Sequence, residues 1–506
     1  MRKFCRSPHV SKGDIRNTGN VGIFTTLALF LIVSTINVLA QDVIPTPGPA
    51  KSVSIPAVKE TKLKNGLTVA VVEKPGVPLV TAQLIVRSGA SSETIKNAGL
   101  ADITASMLTK GTKTRTAEQI AEEMEFLGGS INSGAGWNNS AVTIGITSDK
   151  LDQAMAIMAD VVLNPSFTKA ELDLLKSQAI DGLKFNLTQP GFLATYAASV
   201  YSFGEHPAGG TPASIESFTP ENVSAFYAKH FTPDNSVLLF TGDVTSTKAV
   251  SLAESLFGKW PRPSGAGSGS GRGSGTTEET DKPIVRRMLV IDLPNSGQTS
   301  VNFFKPIRFV GRGSKEYYPA SVLNSLLGGG YSSRLNQEIR IKRGLSYGAG
   351  SSFTWRNGKT NFGTRTQTKN ESAAEVAELV VAELKRLADT TATEAELNPR
   401  KLVLTGGFGR NLETTGGLAG ALTELYSFYL PTSVLNSYMP SVGSVSEANV
   451  KAFAGQHLHD GDMIIVGDYS VFKDDLAKRF PNMKIEVIKA DELNIESPTL
   501  RKSNVP

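Results

Sequence analysis

The feature that most constrains this chain is an internal repeat. The run Asn222-Val223-Ser224-Ala225-Phe226 returns as Asn449-Val450-Lys451-Ala452-Phe453, 227 residues later. Each copy follows a hydroxyl residue that can cap a helix, and each leads into an apolar strand that ends in Gly-Asp. A repeat of this length predicts two copies of one domain, joined head to tail.

The first copy has the pattern of an α+β domain. Runs rich in β-branched residues indicate strands, and apolar residues at helical spacing indicate helices. The predicted strands cover 67–72, 79–86 and 140–147, and the predicted helices cover 101–108, 116–127, 151–163 and 169–184. The predicted fold class is therefore α+β.

A change of composition near Pro261 marks the boundary between the copies. The tract 264–277, SGAGSGSGRGSGTT, has nothing to bury that would offset the entropy of ordering it, so it indicates a solvated Gly/Ser linker. The predicted division is a leader over 1–40, a flexible proline-rich segment over 41–58, a first domain over 59–262, the linker over 263–283, a second domain over 284–490 and a tail over 491–506.

The leader has the pattern of an export signal. Five basic residues precede an apolar run over 21–40, which ends Val38-Leu39-Ala40 before Gln41, a small-x-small cleavage pattern. We expect a secretory signal peptide and a periplasmic or secreted protein. The alternative is an uncleaved membrane anchor over 21–40, which its several Thr and Ser residues disfavour.

Charge and cysteine use exclude several classes of function. The leader holds five basic residues and one acidic residue, which leaves 47 basic against 46 acidic residues in the rest of the chain. This nearly neutral net charge gives no support for a nucleic-acid partner. A membrane partner is expected only if the leader stays attached. Cys5, the one cysteine, also lies in the leader, so the rest has no disulfide and no thiolate ligand or nucleophile.

The helix predicted over 101–108 carries an unusual set of side chains on one face. Asp102, Ala105 and Ser106 share that face because positions i, i+3 and i+4 stack on neighbouring turns. An inverted zinc-peptidase motif, H-x-x-E-H, uses this spacing for two metal-binding imidazoles and the carboxylate that activates a water. The chain has the spacing without the ligands.

The sequence around these positions resembles the pitrilysin and insulinase family, which includes the mitochondrial processing peptidases. The matching segments are Gly99-Leu100-Ala101, Met107, Lys110-Gly111-Thr112, the run EFLGGSIN over 125–132 and the run LNPSF over 163–167. The resemblance implies two domains of α/β-sandwich type that face each other as a clam shell around a substrate chamber.

The resemblance also implies that the zinc site is degenerate. The family's third ligand, a Glu on a later helix, aligns with Gly182, so all four positions lack the family's residues. An oxygen-ligand site made from Asp102 with Asp181 or Glu122 is disfavoured because zinc peptidases use at least two nitrogen donors. A hydrogen bond between Asp102 and Ser106 is a simpler expectation. We predict no metal in this chain.

The second half resembles the family's C-terminal motif. Its segments are the triple glycine Gly328, Gly329 and Gly330, then SSRL over 332–335, EIR over 338–340 and RGLSY over 343–347. In the family an Arg and a Tyr seven residues later reach the substrate at the zinc; the matching pair is Arg340 and Tyr347. We expect the glycines to form a tight substrate-binding loop that exposes backbone donors. A structural role for the pair is the alternative.

The remaining histidines are predicted to have no role in chemistry. His230 and His457 hold equivalent repeat positions, which favours a structural role at a helix end. His459 belongs to a predicted solvated turn, and His206 matches a loop of the family without an assigned function.

The leading hypothesis is a non-catalytic subunit of an exported heterodimeric zinc peptidase. Arg340 and Tyr347 would bind peptide and stabilise the transition state in trans, while a homologous partner subunit with an intact H-x-x-E-H would hold the zinc. One alternative is a catalytically silent structural or peptide-binding module of the same fold. Another is an active peptidase with an unusual site.

Overall fold

Two six-stranded mixed sheets organise the computed structural model, which describes residues 55–262 and 283–502. All of these residues belong to one compact unit. The predicted leader, residues 41–54 of the predicted flexible segment and the linker up to residue 282 lie outside the described residues. None of the helices in these described ranges combines the length and the apolar character needed to span a bilayer.

The first sheet belongs to the residues before the linker. Its strands are β1 (Lys59–Lys62), β2 (Thr68–Glu73), β3 (Leu79–Val86), β4 (Ser130–Ala135), β5 (Ser140–Thr147) and β6 (Ser236–Gly242). The helices of this half are α1 (Leu100–Met107), α2 (Ala117–Phe126), α3 (Leu151–Leu163), α4 (Lys169–Leu187), α5 (Pro190–Tyr201), α6 (Pro212–Glu216), α7 (Pro220–His230) and α8 (Ser246–Phe257).

The second sheet belongs to the residues after the linker. Its strands are β7 (Val285–Asp292), β8 (Thr299–Arg308), β9 (Ala349–Arg356), β10 (Lys359–Thr368), β11 (Gly461–Gly467) and β12 (Ile485–Lys489). The helices of this half are α9 (Tyr317–Leu327), α10 (Ala373–Asp389), α11 (Glu394–Leu412), α12 (Thr415–Ser427), α13 (Val434–Gly443), α14 (Glu447–His457) and α15 (Tyr469–Arg479), with a π-helical turn at Asn336–Ile341.

The two sheets share the order of five strands. The strand orders are β1-β2-β6-β3-β5-β4 and β12-β7-β11-β8-β10-β9, so five strands of one sheet correspond in position to five of the other. They differ at one edge, where β1 is antiparallel to β2 but β12 is parallel to β7. The predicted fold class, two duplicated α/β-sandwich domains that face each other, is confirmed.

Local sequence placed the seven predicted elements of the first half correctly. Strands β3 and β5 and helix α3 have the predicted bounds, and α1, α2 and β2 differ by one residue at each end. The repeat coincides with α7 and α14, and each begins with a capping box, Thr219 with Asn222 and Ser446 with Asn449. Helix α4 extends three residues beyond its predicted end.

The central strands are buried on both faces because the halves exchange helices. Every residue of β6 and of β11 is buried, as in a sheet covered on both sides. Each sheet carries its own helices on one face, while α12 packs on β3 and β6 of the first sheet and α5 packs on β8 and β11 of the second. Neither sheet is therefore complete without the other half of the chain.

The two exchanged helices use different chemistry. Helix α5 contributes Leu193 and three alanines to an apolar cluster with the second sheet. Helix α12 also forms polar bonds: Thr415 Oγ1 lies 2.9 Å from Thr81 Oγ1, and Thr423 Oγ1 donates to Gln83 Oε1 at 2.6 Å. Lys74 of the first half donates to two carbonyls at the C-terminal end of α11, where a cation is favoured.

A buried carboxyl group holds the start of α1. The Glu93 side chain is 0% exposed and accepts the backbone N–H groups of Gly99, at 2.9 Å, and Ala101. Gly99 has a φ of +91°, and a Cβ there would lie 2.8 Å from the Cα of Gly210, so only glycine fits. Burial raises the pKa of Glu93 to about 7, although the two backbone bonds oppose this.

The exchange of α5 predicts a large effect of one core substitution. Leu193→Ala should lower the free energy of unfolding by about 2–5 kcal/mol, because Leu193 is 3% exposed in the cluster between the halves. Urea denaturation followed by circular dichroism measures the change. Leu174→Ala on α4 is the matched control: Leu174 is 54% exposed, and we expect a change under about 0.5 kcal/mol. Equal losses for both variants would contradict the packing role of α5.

The burial of Glu93 predicts a pH-dependent stability. Its folded-state pKa of about 7 lies above the ordinary value of 4.5, so the stabilising contribution is complete below pH 4.5 and is lost as the pH rises to about 7. The free energy of unfolding of the wild type, relative to Glu93→Gln, should fall by about 3 kcal/mol across this window. Chemical denaturation of both proteins at several pH values tests this. A pH-independent difference would show that Glu93 ionises normally in the fold.

Candidate functional site

The face of α1 that carries Asp102, Ala105 and Ser106 is partly buried against its neighbours. Ala105 is fully buried, whereas Asp102 and Ser106 are half-buried. Asp102 Oδ1 accepts the backbone N–H of Ala135 on β4 at 3.3 Å, and burial raises the pKa of its carboxyl group. The prediction of a hydrogen bond between Asp102 and Ser106 is therefore wrong, because the hydrogen-bond partner of Asp102 is Ala135 on the edge strand.

The fourth position of the degenerate site lies on a neighbouring helix. Gly182 is exposed on α4, which packs against α1. A Cβ at Gly182 would meet no atom within 4 Å, so there is open space next to this residue. Glycine itself has no side-chain atom that could bind a metal.

These four positions do not fit a zinc ion. Ala105 and Gly182 have no donor atom, and the Asp102 carboxylate already accepts a hydrogen bond from the edge strand. Among the described residues there is no group of three or more His, Cys, Asp or Glu side chains that could hold a metal. Zinc peptidase sites need three protein ligands, so no step of a reaction can be assigned to a metal here.

The repeat-related histidines have structural contacts. His230 ends α7, and its Nδ1 lies 2.8 Å from Ser88 Oγ; burial lowers the pKa of His230 to about 4. His457 ends α14, with Nε2 2.9 Å from Glu316 Oε1. His206 Nε2 contacts the carbonyl of Ala90 at 3.0 Å.

The prediction of a solvated turn around His459 is wrong. His459 is 3% exposed, and its Nε2 lies 2.8 Å from the carbonyl oxygen of Gln456. Its neighbour Asp460 lies 3.9 Å from the ammonium of Lys305. The turn is buried because it starts β11, the central strand of the second sheet.

The C-terminal motif forms a distinct turn that carries Arg340. The turn Asn336–Ile341 is π-helical, a geometry that is frequent at functional sites. The guanidinium carbon of Arg340 lies 5.0 Å from the centre of the Tyr331 ring. Among the described residues Arg340 has no carboxylate partner within ion-pair distance.

The neighbouring charged side chains are paired, which sets Arg340 apart. Glu338 accepts from Arg343 Nη1 at 2.7 Å and also binds Lys342, and its pKa is lowered, chiefly by the hydrogen bond from Lys342. Arg334 is 7% exposed and forms a two-pronged pair with Glu396: Nε donates to Oε1 at 3.1 Å, and Nη2 donates to Oε2 at 3.1 Å. The one guanidinium of the motif that is left open is therefore the one predicted to bind substrate.

Tyr347 projects from the loop that follows. Its side chain is 91% exposed, so it has almost no packing role. Before Tyr347, Gly344 N–H donates to the carbonyl of Arg340 at 2.9 Å, and Thr368 Oγ1 donates to the carbonyl of Leu345 at 2.6 Å. After Tyr347, the Ala349 N–H donates to Asn336 Oδ1 at 3.3 Å. An exposed phenol on an anchored backbone is available to a second molecule.

The triple glycine has two different roles. A Cβ at Gly328 would lie 2.1 Å from the backbone nitrogen of Ser351, and one at Gly329 would lie 2.7 Å from the Cα of Ser325. Gly328 allows the end of α9 to approach β9 closely, and Gly329 allows the chain to turn back against the last turn of α9. Only Gly330 of the three has open space around its Cβ position, although Gly329 and Gly330 are both exposed.

Sequence reasoning missed two residues of this turn. Tyr331 lies between the glycines and the SSRL segment and stacks on Arg340. Asn336 is buried; its Nδ2 donates to the carbonyl of Tyr331 at 2.6 Å, and its Oδ1 accepts from the backbone N–H of Ala349 at 3.3 Å. The only sequence signal for either residue was that Tyr331, an aromatic residue, directly follows the three glycines. No hydrogen bond or ion pair between described residues joins α1 to this turn.

Two family models match the chain. The model described as Insulinase (Peptidase family M16) matches residues 68–184, and the model described as Peptidase M16 inactive domain matches residues 217–402. The first covers α1 and most of α4. The second extends over the Arg340 turn, Tyr347 and about the first half of α11.

Similar proteins and structures agree with these matches. A protein of Rickettsia felis named an uncharacterized zinc protease is 30% identical over 297 residues, which are 58% of this chain and 68% of that protein. One of Mycobacterium tuberculosis with a similar name is 28% identical over 426 residues, which are 82% of this chain and 93% of that protein.

Solved structures of this fold match most of the chain. The crystal structure of a peptidase M16 inactive domain from Pseudomonas fluorescens has a TM-score of 0.71 at 26% identity, covering 81% of this chain and 98% of that chain. A protease from Helicobacter pylori, at 19% identity, shares the fold with a TM-score of 0.74, covering 81% of this chain and all of that chain. With its repeat, its two matching sheets and these relatives, the chain belongs to peptidase family M16, the insulinase family.

Proposed function

We propose that this chain is the non-catalytic subunit of an exported heterodimeric zinc metallopeptidase. It presents Arg340 and Tyr347 to peptide bound at the zinc of a homologous partner subunit. The observation that carries the proposal is the state of this pair: Tyr347 is 91% exposed, and Arg340 has no carboxylate partner in the described chain, although the charged residues around it are paired.

The pair suits transition-state binding by its chemistry. A guanidinium offers a rigid fork of N–H donors to peptide carbonyl oxygens, and a phenol O–H can donate to the oxyanion that forms when water attacks the peptide. Both groups would act only when a partner brings the scissile bond close, since they lie on the surface of their own chain.

The degenerate site supports the division of roles between two chains. Asp102, Ala105, Ser106 and Gly182 do not provide a zinc-binding set, so the metal and the water it activates belong to the partner in this proposal. The leader pattern over 1–40 supports export, to the periplasm or beyond the cell.

Reconstitution with a partner tests the proposal. The chain from residue 41 is purified and mixed with a homologue from the same genome that has an intact H-x-x-E-H. We expect no bound zinc and no peptide hydrolysis by the chain alone, and hydrolysis by the mixture. Arg340→Ala should lower kcat/KM of the mixture by roughly 100-fold or more, and Tyr347→Phe by roughly 10–100-fold, because each removes a donor to the transition state.

The control for charge is Lys342→Ala, an exposed cation of the same turn that pairs with Glu338. It should change kcat/KM less than about threefold. Full activity of mixtures that contain the Arg340 and Tyr347 variants would refute the proposal. Peptide binding without turnover in any mixture would identify a silent binding module instead, and stoichiometric zinc with activity in the lone chain would identify an unusual active site.

Tyr331 should act as a positioning residue for Arg340. Tyr331→Leu keeps an apolar side chain but removes the aromatic face beside the guanidinium, so kcat/KM of the mixture should fall about two- to fivefold, the scale of an exposed cation–π contact. Separate kcat and KM values show whether transition-state or ground-state binding is lost.

Tyr331→Phe is the matched variant, since it keeps the ring and loses only the hydroxyl. It should retain wild-type kcat and KM. If both variants behave alike, the ring does not position Arg340. Subunit affinity, measured by sedimentation, should be the same for all three proteins, which separates positioning from a loss of assembly.

A further inference from the structure

A cleft of about 480 Å³ opens at the start of α9, away from the Arg340 turn. Helices α11, α12 and α13 form its other walls. Its apolar surface comes from Tyr317, Phe408, Leu435 and Tyr438, and a volume of this size is typical of small-ligand sites. Helix α9 separates the cleft from the triple glycine by its eleven residues, about 16 Å of helix.

A buried guanidinium lines this cleft with most of its donors unused. The Arg312 side chain is 6% exposed, and its Nε donates to Glu424 Oε1 at 2.7 Å. Its guanidinium carbon lies 3.8 Å from the centre of the Tyr317 ring. No other hydrogen bond joins Arg312 to the described residues, so its four terminal N–H donors are left for the cleft. A charged group in this state gains much from a ligand that accepts those bonds.

The charge around the cleft favours an anion. Arg410 follows the same side of α11, because a Cβ added at Gly407, a cleft residue, would lie 3.8 Å from its Nη2. Arg410 has no ion-pair partner among the described residues. The wall of the cleft carries one guanidinium, that of Arg312, and one carboxylate, that of Glu424, and the exposed Arg410 adds a second guanidinium beside the wall. Carboxylates match the two-pronged donor geometry of a guanidinium.

The walls favour a flat or bulky apolar group beside that carboxylate. The Phe408 and Tyr438 rings stack with centroids 4.3 Å apart and planes at 22°. Gly420 faces the cleft without a side chain, and a Cβ there would meet nothing within 4 Å. The space between these walls and Arg312 is thus kept open by a glycine.

We propose that this cleft binds a carboxylate carried next to an aromatic or large aliphatic group, as in the last residue of a peptide or in an N-acyl amino acid. The carboxylate accepts from the free donors of Arg312, and the side chain packs against the stacked rings of Phe408 and Tyr438. The site is separate from Arg340 and Tyr347, so it stands or falls independently of the proposed function.

Calorimetric titration of the full chain tests the proposal. N-acetyl-L-phenylalanine should bind with a Kd of about 1 mM or tighter, and N-acetyl-L-phenylalaninamide, which lacks the carboxylate, at least about tenfold more weakly. A short peptide that ends in free Phe and its C-terminally amidated form are the second pair of probes. Tighter binding of the free-acid peptide than of the N-acyl amino acid would identify peptide C-termini as the ligand; equal binding would identify recognition of the last residue alone.

Gly420→Leu fills the cleft from a helical position and should raise the Kd for both acids at least about tenfold. Gly416→Leu is the matched control on the same helix: it also has open space at its Cβ position but does not line the cleft, and it should bind as the wild type does. Arg312→Gln leaves Glu424 unpaired, so its binding is interpreted only if its thermal midpoint is unchanged. Equal binding of acid and amide, no binding of either acid, or wild-type affinity in Gly420→Leu would overturn the proposal.

Discussion

The double-sided burial of β6 and β11 depends on one constraint, the exchange of helices between the two halves. A strand of continuous apolar residues is stable only when both faces of its sheet are covered. Each half supplies one covering layer for itself and lacks the second. Helix α5 completes the second sheet through an apolar contact, and α12 completes the first through an apolar face with added hydroxyl bonds. The rest of the molecule, including both candidate sites, is held on this pair of interlocked sheets.

Helix α1, which was predicted to carry a degenerate zinc site, is held in place by packing and capping contacts. Helix α1 still begins at a glycine that no other residue could replace, and Glu93 still binds its first N–H groups. Ala105 packs as a core residue, and Asp102 satisfies a backbone donor on the edge strand. The helix is therefore maintained by packing and capping rather than by a metal.

The candidate side chains of the C-terminal half differ because neither is part of a core: Tyr347 is exposed, and Arg340 stacks on the Tyr331 ring. Arg340 and Tyr347 lie on a surface turn whose backbone is fixed by Asn336 and Thr368, and the neighbouring carboxylates are used by other cations. A site that another molecule completes requires a rigid backbone and side chains that remain accessible to that molecule. The Arg312 cleft has the opposite design, with its charge buried and its donors turned inward.

The sequence by itself determined the duplication, the family, the bounds of seven elements of the first half to within three residues, the absence of the family's zinc ligands at 102, 105, 106 and 182, and the location of the Arg340 motif. These are properties of local pattern and spacing, which short-range sterics and capping set directly. Only the tertiary structure decided that α5 covers the second sheet and α12 the first. It also decided that Glu93 binds the start of α1 and that His459 is buried. In the C-terminal motif, it decided that Tyr331 stacks on Arg340 and that two of the three glycines are packing residues. The partners in such contacts are often distant along the chain, and none leaves a periodic signal, because burial and pairing depend on which surfaces the folded sheets bring together.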